Sequence, residues 1–217
     1  MELIKRNYAF GTNIEKSVDA PLHCPHCGLP TGLRLLQHGD VSDGERRFFV
    51  VAAYSYCCSK YSFLTYLLEE NEYTFVNVYP KSTGVHVIEA IETLSPRFAD
   101  LYKASASAES DGFLELAGSG YRNALEVLVK DFAIEELKIP SSDVVKKSLA
   151  DAIELYLPDE RLKNAADVVR ILGNDFTHYE RKYDHYDLNI LKTYLDIFIA
   201  RIHSEYLLNH PPVHRPT

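Results

Sequence analysis

Val168-Val169-Arg170-Ile171-Leu172-Gly173-Asn174-Asp175-Phe176-Thr177-His178 decides how the second half of this 217-residue chain is read. At about 100° per residue, Leu162, Ala165, Val169, Leu172 and Phe176 fall on one apolar stripe of a helix. Asp167, Arg170, Asn174 and His178 gather on the opposite side, and Arg181 extends that row. Arg170, Asn174 and His178 are spaced by four, so their side chains stack along the helix. A guanidinium, an amide and an imidazole in one row can hold a phosphate, move a proton or lock onto a partner helix. The same spacing equally describes an ordinary solvated helix face.

Outward from this stretch, helical periodicity holds over most of residues 93–209. Ser95-Pro96 is a helix start, with Ser at the N-cap and Pro at the first helical position. Ala117, Tyr121, Ala124, Leu125, Leu128 and Phe132 form a second apolar stripe, with Glu126 and Lys130 paired outside it. Pro140 ends that helix, and Ser141-Ser142 cap one running through Val145, Leu149, Ile153 and Tyr156. Pro158-Asp159 opens the helix that carries Arg170. Asp184 is the expected cap of a last helix with Leu188, Leu191, Leu195, Phe198, Ile199 and Ile202 on its core face. The Pro-rich tail, 210–217, is expected to be disordered.

Residues 1–92 read differently. Residues 1–20 show no clear period and are expected as an irregular lead-in. Arg47 to Tyr56 and Tyr73 to Tyr79 are β-branched and aromatic enough for strands, whereas Tyr61 to Leu68 fits strand or short helix. Cys24-Pro25-His26-Cys27-Gly28 has the form of a zinc knuckle: two thiolates spaced C-x2-C grip one metal from a tight turn that suits Gly. The other cysteines, Cys57 and Cys58, are adjacent, and neighbours on a strand point apart. Only one of them is therefore expected to join Cys24 and Cys27, leaving His23, His26, His38 or water as fourth ligand. A ribbon that has lost its metal and is held by packing is the alternative. The expected fold is mainly α, an antiparallel helical bundle (93–209) preceded by a small β-rich zinc-ribbon-like module (1–92).

Composition bounds the function. The formal net charge is −8, with eight basic against eleven acidic residues up to 92 and fifteen against twenty after it. Neither part has a basic footprint for non-specific nucleic-acid binding. No apolar run approaches the ~20 residues that span a bilayer, and four cysteines with a C-x2-C pair suit thiolate ligands better than disulfides. The expectation is a cytoplasmic protein with no membrane partner. Walker loops, Gly-rich dinucleotide turns, H-E-x-x-H helices and G-x-S-x-G elbows are absent from the sequence.

The order of segments resembles a known family. Cys24 to Gly28 and a β region ending at Tyr79-Pro80 are followed by Gly120-Tyr121-Arg122-Asn123-Ala124-Leu125-Glu126, similar to an aromatic-Arg-x-Ala-Leu-Glu element. Val169 to His178 is similar to an Arg-x2-Gly-Asn-x3-His element. Together they resemble domain-of-unknown-function family 4145, within the HEPN (higher eukaryote and prokaryote nucleotide-binding) superfamily, over most of residues 22–205. The resemblance implies a helical bundle that dimerises with its polar rows close together, and a link to defence, restriction or toxin–antitoxin systems. It also implies metal-independent ribonuclease chemistry in members whose Arg and His lie four to six residues apart. Here seven residues separate Arg170 from His178, and Ile171, Leu172 and Gly173 occupy the standard Arg positions.

Two functions follow. The first is a non-catalytic nucleic-acid-associated or protein-assembly module, a homodimer with RNA or a partner protein and a structural zinc as its one candidate cofactor. The second is a metal-independent endoribonuclease. In it, His178 would be the general acid or base, Arg170 would stabilise the phosphate, and Asn174 would orient one of them.

Overall fold

The computed structural model describes residues 2–10, 14–30, 32–81 and 85–213. It corrects the expected fold class. The chain is mixed α/β, 46% helical and 26% strand, with two antiparallel sheets and seven helices among the described residues, and not a mainly helical bundle behind a small module. It divides into two compact units, Met1–His86 and Val87–Thr217.

In the first unit, β1 (Leu3–Phe10) and β2 (Ile14–Pro21) pair as a hairpin where an irregular lead-in was expected. Polar residues on both faces hide the strand signal: Lys5, Asn7, Glu15, Ser17 and Asp19 face outward, and Arg6 and Lys16 share the parity of the core-facing residues. Tyr8, Val18 and Ala20 face the core, and Lys5 pairs with Asp19 across the strands at 3.0 Å. The second sheet is a meander of β3 (Leu33–Ser42), β4 (Arg47–Ser55), β5 (Lys60–Glu69) and β6 (Glu72–Tyr79). Tyr61 to Leu68 is thus strand. Its inward Ser62, Leu64 and Tyr66 alternate with outward Tyr61 and Phe63. Because both faces carry large side chains, the period of two is hard to see in the sequence. β3 was not anticipated, since nearly all its residues are exposed. Tyr66 donates its hydroxyl to the Asp19 carbonyl at 2.9 Å, tying the two sheets of this unit together.

The second unit contains α1 (Glu89–Leu94), α2 (Pro96–Ser110), α3 (Leu114–Glu135), α4 (Ser141–Val144), α5 (Leu149–Tyr156), α6 (Glu160–Asp175) and α7 (Leu188–Asn209). The expected apolar stripes are the core: Tyr121, Leu125 and Leu128 of α3, Val169 and Leu172 of α6, and Leu195 and Phe198 of α7 are buried. The single helix expected from Ser141 to Tyr156 is two helices, because the Ser148 side chain accepts from the Asp151 N–H and starts α5 afresh. Asp187, rather than Asp184, caps α7, accepting from the Ile190 N–H. Asp159 caps α6 through the Arg161 and Leu162 N–H groups.

Two glycines set the spacing of α3 and α6. A Cβ at Gly173 would stand 2.5 Å from Arg122 Cβ, and one at Gly118 would stand 2.4 Å from the Phe176 ring. Of the tail read as disordered, residues 214–217 lie outside the described residues. His210, just after α7, meets the Glu136 carboxylate at 3.0 Å.

Candidate metal centre

Two turns build the centre. In the first, Gly28 N–H donates to the Cys24 carbonyl at 2.9 Å and Cys24 N–H donates to the Leu29 carbonyl at 2.8 Å. His23 and Pro30 bridge the base of this loop. Gly28 has φ +72°, and a Cβ there would stand 2.1 Å from the Val85 carbonyl oxygen, so no side chain fits. The second turn, Tyr56-Cys57-Cys58-Ser59, joins β4 to β5, and Ser59 at φ 55° reverses the chain.

The sequence gap between the cysteine pairs is an out-and-back hairpin. β3 leaves from beside the first turn, β4 returns, and the register Leu33–Ser55 brings both turns to one end of the sheet.

All four sulfur atoms lie within 4.8 Å of one another. Cys24 Sγ is 3.6 Å from Cys58 Sγ, and Cys27 Sγ is 3.4 Å from Cys57 Sγ. A tetrahedral ion with metal–sulfur bonds near 2.3 Å holds its sulfurs about 3.8 Å apart, a little more than these two pairs and within the 4.8 Å that spans the set. They are far beyond the roughly 2.05 Å of a disulfide, and the cysteines are free.

The expectation that only one of Cys57 and Cys58 reaches the pair is corrected. Neighbours point apart on a strand, but these two sit in a turn, whose curled backbone brings both sulfurs to the same side. With four thiols present, no histidine is needed as a ligand. His26 donates its Nε2–H to the Tyr61 carbonyl at 2.8 Å, and His38 packs on Phe49 beside the Tyr8 hydroxyl.

Electrostatics favour one thiolate before the rest. At Cys24, burial pushes the pKa up, but the Ser55 hydroxyl and the Cys27 and His26 backbone N–H groups outweigh it, lowering the value to about 7. The fully buried Ser55 hydroxyl has no partner at ordinary hydrogen-bond geometry, so its looser polarity toward this sulfur is the interaction open to it. Burial pushes Cys58 up to about 12, helped by its closeness to Cys24, and burial also raises Cys27. Four thiolates this close repel one another, and a divalent ion removes that penalty. A tetrathiolate set with backbone N–H donors suits a soft tetrahedral cation.

The polar row of α6 is a different kind of surface. Arg170 Nε is bonded to Asp167 at 2.6 Å, and the Asn174 amide meets His178 Nε2 at 3.3 Å, with Asn174 and His178 exposed. α6 stops at Asp175, so Arg170 lies on the helix and His178 belongs to the following turn. Arg181 does not extend the row. Its guanidinium lies 4.0 Å over the Phe176 ring and its Nε reaches Asp175 at 3.2 Å.

Sequence reading passed over Asp175. This buried carboxylate also accepts from the Lys182 N–H at 2.8 Å and the Tyr183 N–H at 3.2 Å, fixing the loop into α7. An Asp at the end of an apolar stripe, six before an Arg, was the available signal.

No family model, curated protein or solved structure matches the chain. No helix of the described residues is long and apolar enough to cross a membrane.

Proposed function

We propose that the chain is a non-catalytic binding and assembly module whose β unit is closed by a structural zinc ion on Cys24, Cys27, Cys57 and Cys58. The observation that carries this reading is the convergence of four sulfurs, from two turns thirty residues apart, within 4.8 Å. A closed four-thiolate set leaves no open position for water or substrate, which is the mark of a structural rather than a catalytic ion. Elemental analysis of untagged protein should find one zinc per chain, lost in both Cys24→Ser and Cys57→Ser. Stoichiometric zinc that ignores Cys24→Ser would overturn the assignment.

Assembly is carried by the second unit. A cavity of about 360 Å³ between α6 and α7 is lined by Val168, Ile171, Leu172, Tyr186, Ile190 and Tyr194 among others. Ile171 stands three residues before Asn174 on α6, so this apolar groove adjoins that part of the polar row. That combination of apolar strip and hydrogen-bonding row is what a homodimer contact needs. The ribonuclease alternative gains nothing from the geometry, since Arg170 is committed to Asp167. Incubation with mixed RNA in magnesium-free buffer should leave the RNA intact. Cleavage lost in both His178→Ala and Arg170→Ala would reverse that conclusion.

A further inference from the structure

The outward face of the second sheet is aromatic. Register sets Arg34, Tyr54 and Tyr61 side by side across β3, β4 and β5, and Ala52, Phe63 and Tyr79 in the next rung across β4, β5 and β6. The alternating residues, Val51, Ala53, Leu64, Tyr66 and Val78, point into the core. The rings themselves stand in the open: Tyr56 is 61% exposed, Tyr61 60%, Phe63 48% and Tyr79 73%. Tyr54 braces them, its ring centroid 5.3 Å from Tyr56 and 5.2 Å from Tyr61. Rings two residues apart on one strand are spaced about 6.7 Å, and those on neighbouring strands about 4.8 Å.

The charge beside these rings is positive. Arg34 stands in the first rung, while Lys60, paired with the core-facing Ser55, alternates to the other face of the sheet. The two rungs beyond are neutral, Val50–Thr65–Asn77 and Phe48–Leu67–Thr74. Among the described residues of these four rungs there is no carboxylate, in a chain that holds 31 Asp and Glu. A surface of this kind left bare invites aggregation. Flat rings with a flanking guanidinium and no competing acids are the chemistry that stacks unpaired bases and meets a phosphate backbone.

We propose that this face binds single-stranded nucleic acid, with bases stacked on Tyr61, Phe63 and Tyr79 and a phosphate met by Arg34. The proposal rests on the binding-module reading above and names its ligand. The metal centre supports the platform, because the turn carrying Cys57 and Cys58 joins the strands that bear Tyr54 and Tyr61. Stacking tolerates any base, so recognition is of unpaired strand rather than of sequence, and a single cation gives only a shallow salt dependence.

The test uses the full-length, zinc-loaded protein and mixed-sequence DNA and RNA oligomers of about 12 nucleotides, a length within the site sizes of such surfaces. The chain has no Trp, so Tyr61→Trp supplies a single fluorophore that stacked bases should quench. Anisotropy of labelled oligomers should show saturable binding to single strands and weaker binding to the duplex. Phe63→Ala with Tyr79→Ala should weaken binding about tenfold or more, and Tyr79→Ala alone, at the sheet edge, provides a variant that disturbs no core contact. Arg34→Gln should lower the salt slope by about 0.7. Absence of binding by protein that carries its zinc would overturn the proposal, as would binding indifferent to the aromatic substitutions. A dimer abolished by those substitutions, without oligomer binding, would assign the face to a protein contact instead. Protein without zinc is the separate signature of a failed metal-centre reading.

Discussion

The two units solve the problem of stability in opposite ways. Among the described residues, twelve large side chains are completely buried, and only Leu64 and Tyr66 belong to the β unit. The β cluster has ten buried residues, two of them alanine. The helical unit, by contrast, buries Phe98, Tyr121, Leu128, Ile153, Leu195 and Phe198 between long helices. A thin core of this size leaves little surplus over chain entropy, and a metal cross-link is a common remedy. The helical unit needs no such clamp, and it uses close helix contact instead. The difference locates the vulnerability of each: chemistry at four sulfurs for one, shape at two glycines for the other.

Removing the proposed zinc is the strongest way to break the comparison. Structural zinc in small domains contributes apparent free energies of about 10–16 kcal/mol, more than the β core can replace. Hydrogen exchange after strong chelation, or in Cys58→Ser, should therefore show protection lost across Leu33–Tyr79 and kept across Leu114–Glu135. Retained protection in the β unit would mean that its packing suffices alone.

Adding a methyl at Gly173 tests the other unit. The new Cβ meets Arg122 Cβ at 2.5 Å and the Gly118 carbonyl at 3.0 Å, neither of which can swing away cheaply. Overpacking of this kind costs about 1–3 kcal/mol, so Gly173→Ala should lower the helical unit's melting temperature with zinc content unchanged. An unaltered melt would show that α3 and α6 separate without strain.

Asp175→Asn probes a single buried carboxylate. Burial raises the pKa of Asp175, but the Lys182 and Tyr183 N–H groups and Arg181 outweigh it and hold the group below its ordinary value. A depressed folded-state pKa contributes stability that is complete above the unfolded value near 3.9 and lost as pH falls through the folded value. The wild-type advantage over Asn should thus be constant from pH 5 to 8 at about 1–3 kcal/mol and shrink below about pH 4. Denaturant midpoints at several pH values measure it, and a gap widening in acid would contradict the geometry.

The smallest effect is expected at His178, which is exposed and whose ring meets the Asn174 amide. His178→Ala should change monomer stability by no more than about 0.5 kcal/mol. A larger loss that grows on dilution, followed by sedimentation, would place this residue in a subunit contact and sharpen the role of the helical unit.

The sequence by itself determined the helical faces and the first half of the metal site. Val169, Leu172 and Phe176 are buried as their spacing requires, because a 3.6-residue period is a local property that needs no knowledge of the partner helix. Cys24-Pro25-His26-Cys27-Gly28 is likewise local, its turn closed within six residues.

What tertiary structure alone decided was pairing across distance. The charge-rich β1–β2 hairpin, the exposed β3, and the convergence of Cys57 and Cys58 on the first pair depend on strand register. Register is set by contacts between segments far apart in the chain, and so no short window records it. The same holds for the aromatic face: Tyr54, Tyr61, Phe63 and Tyr79 lie scattered over 26 positions and become one surface only when three strands are laid side by side.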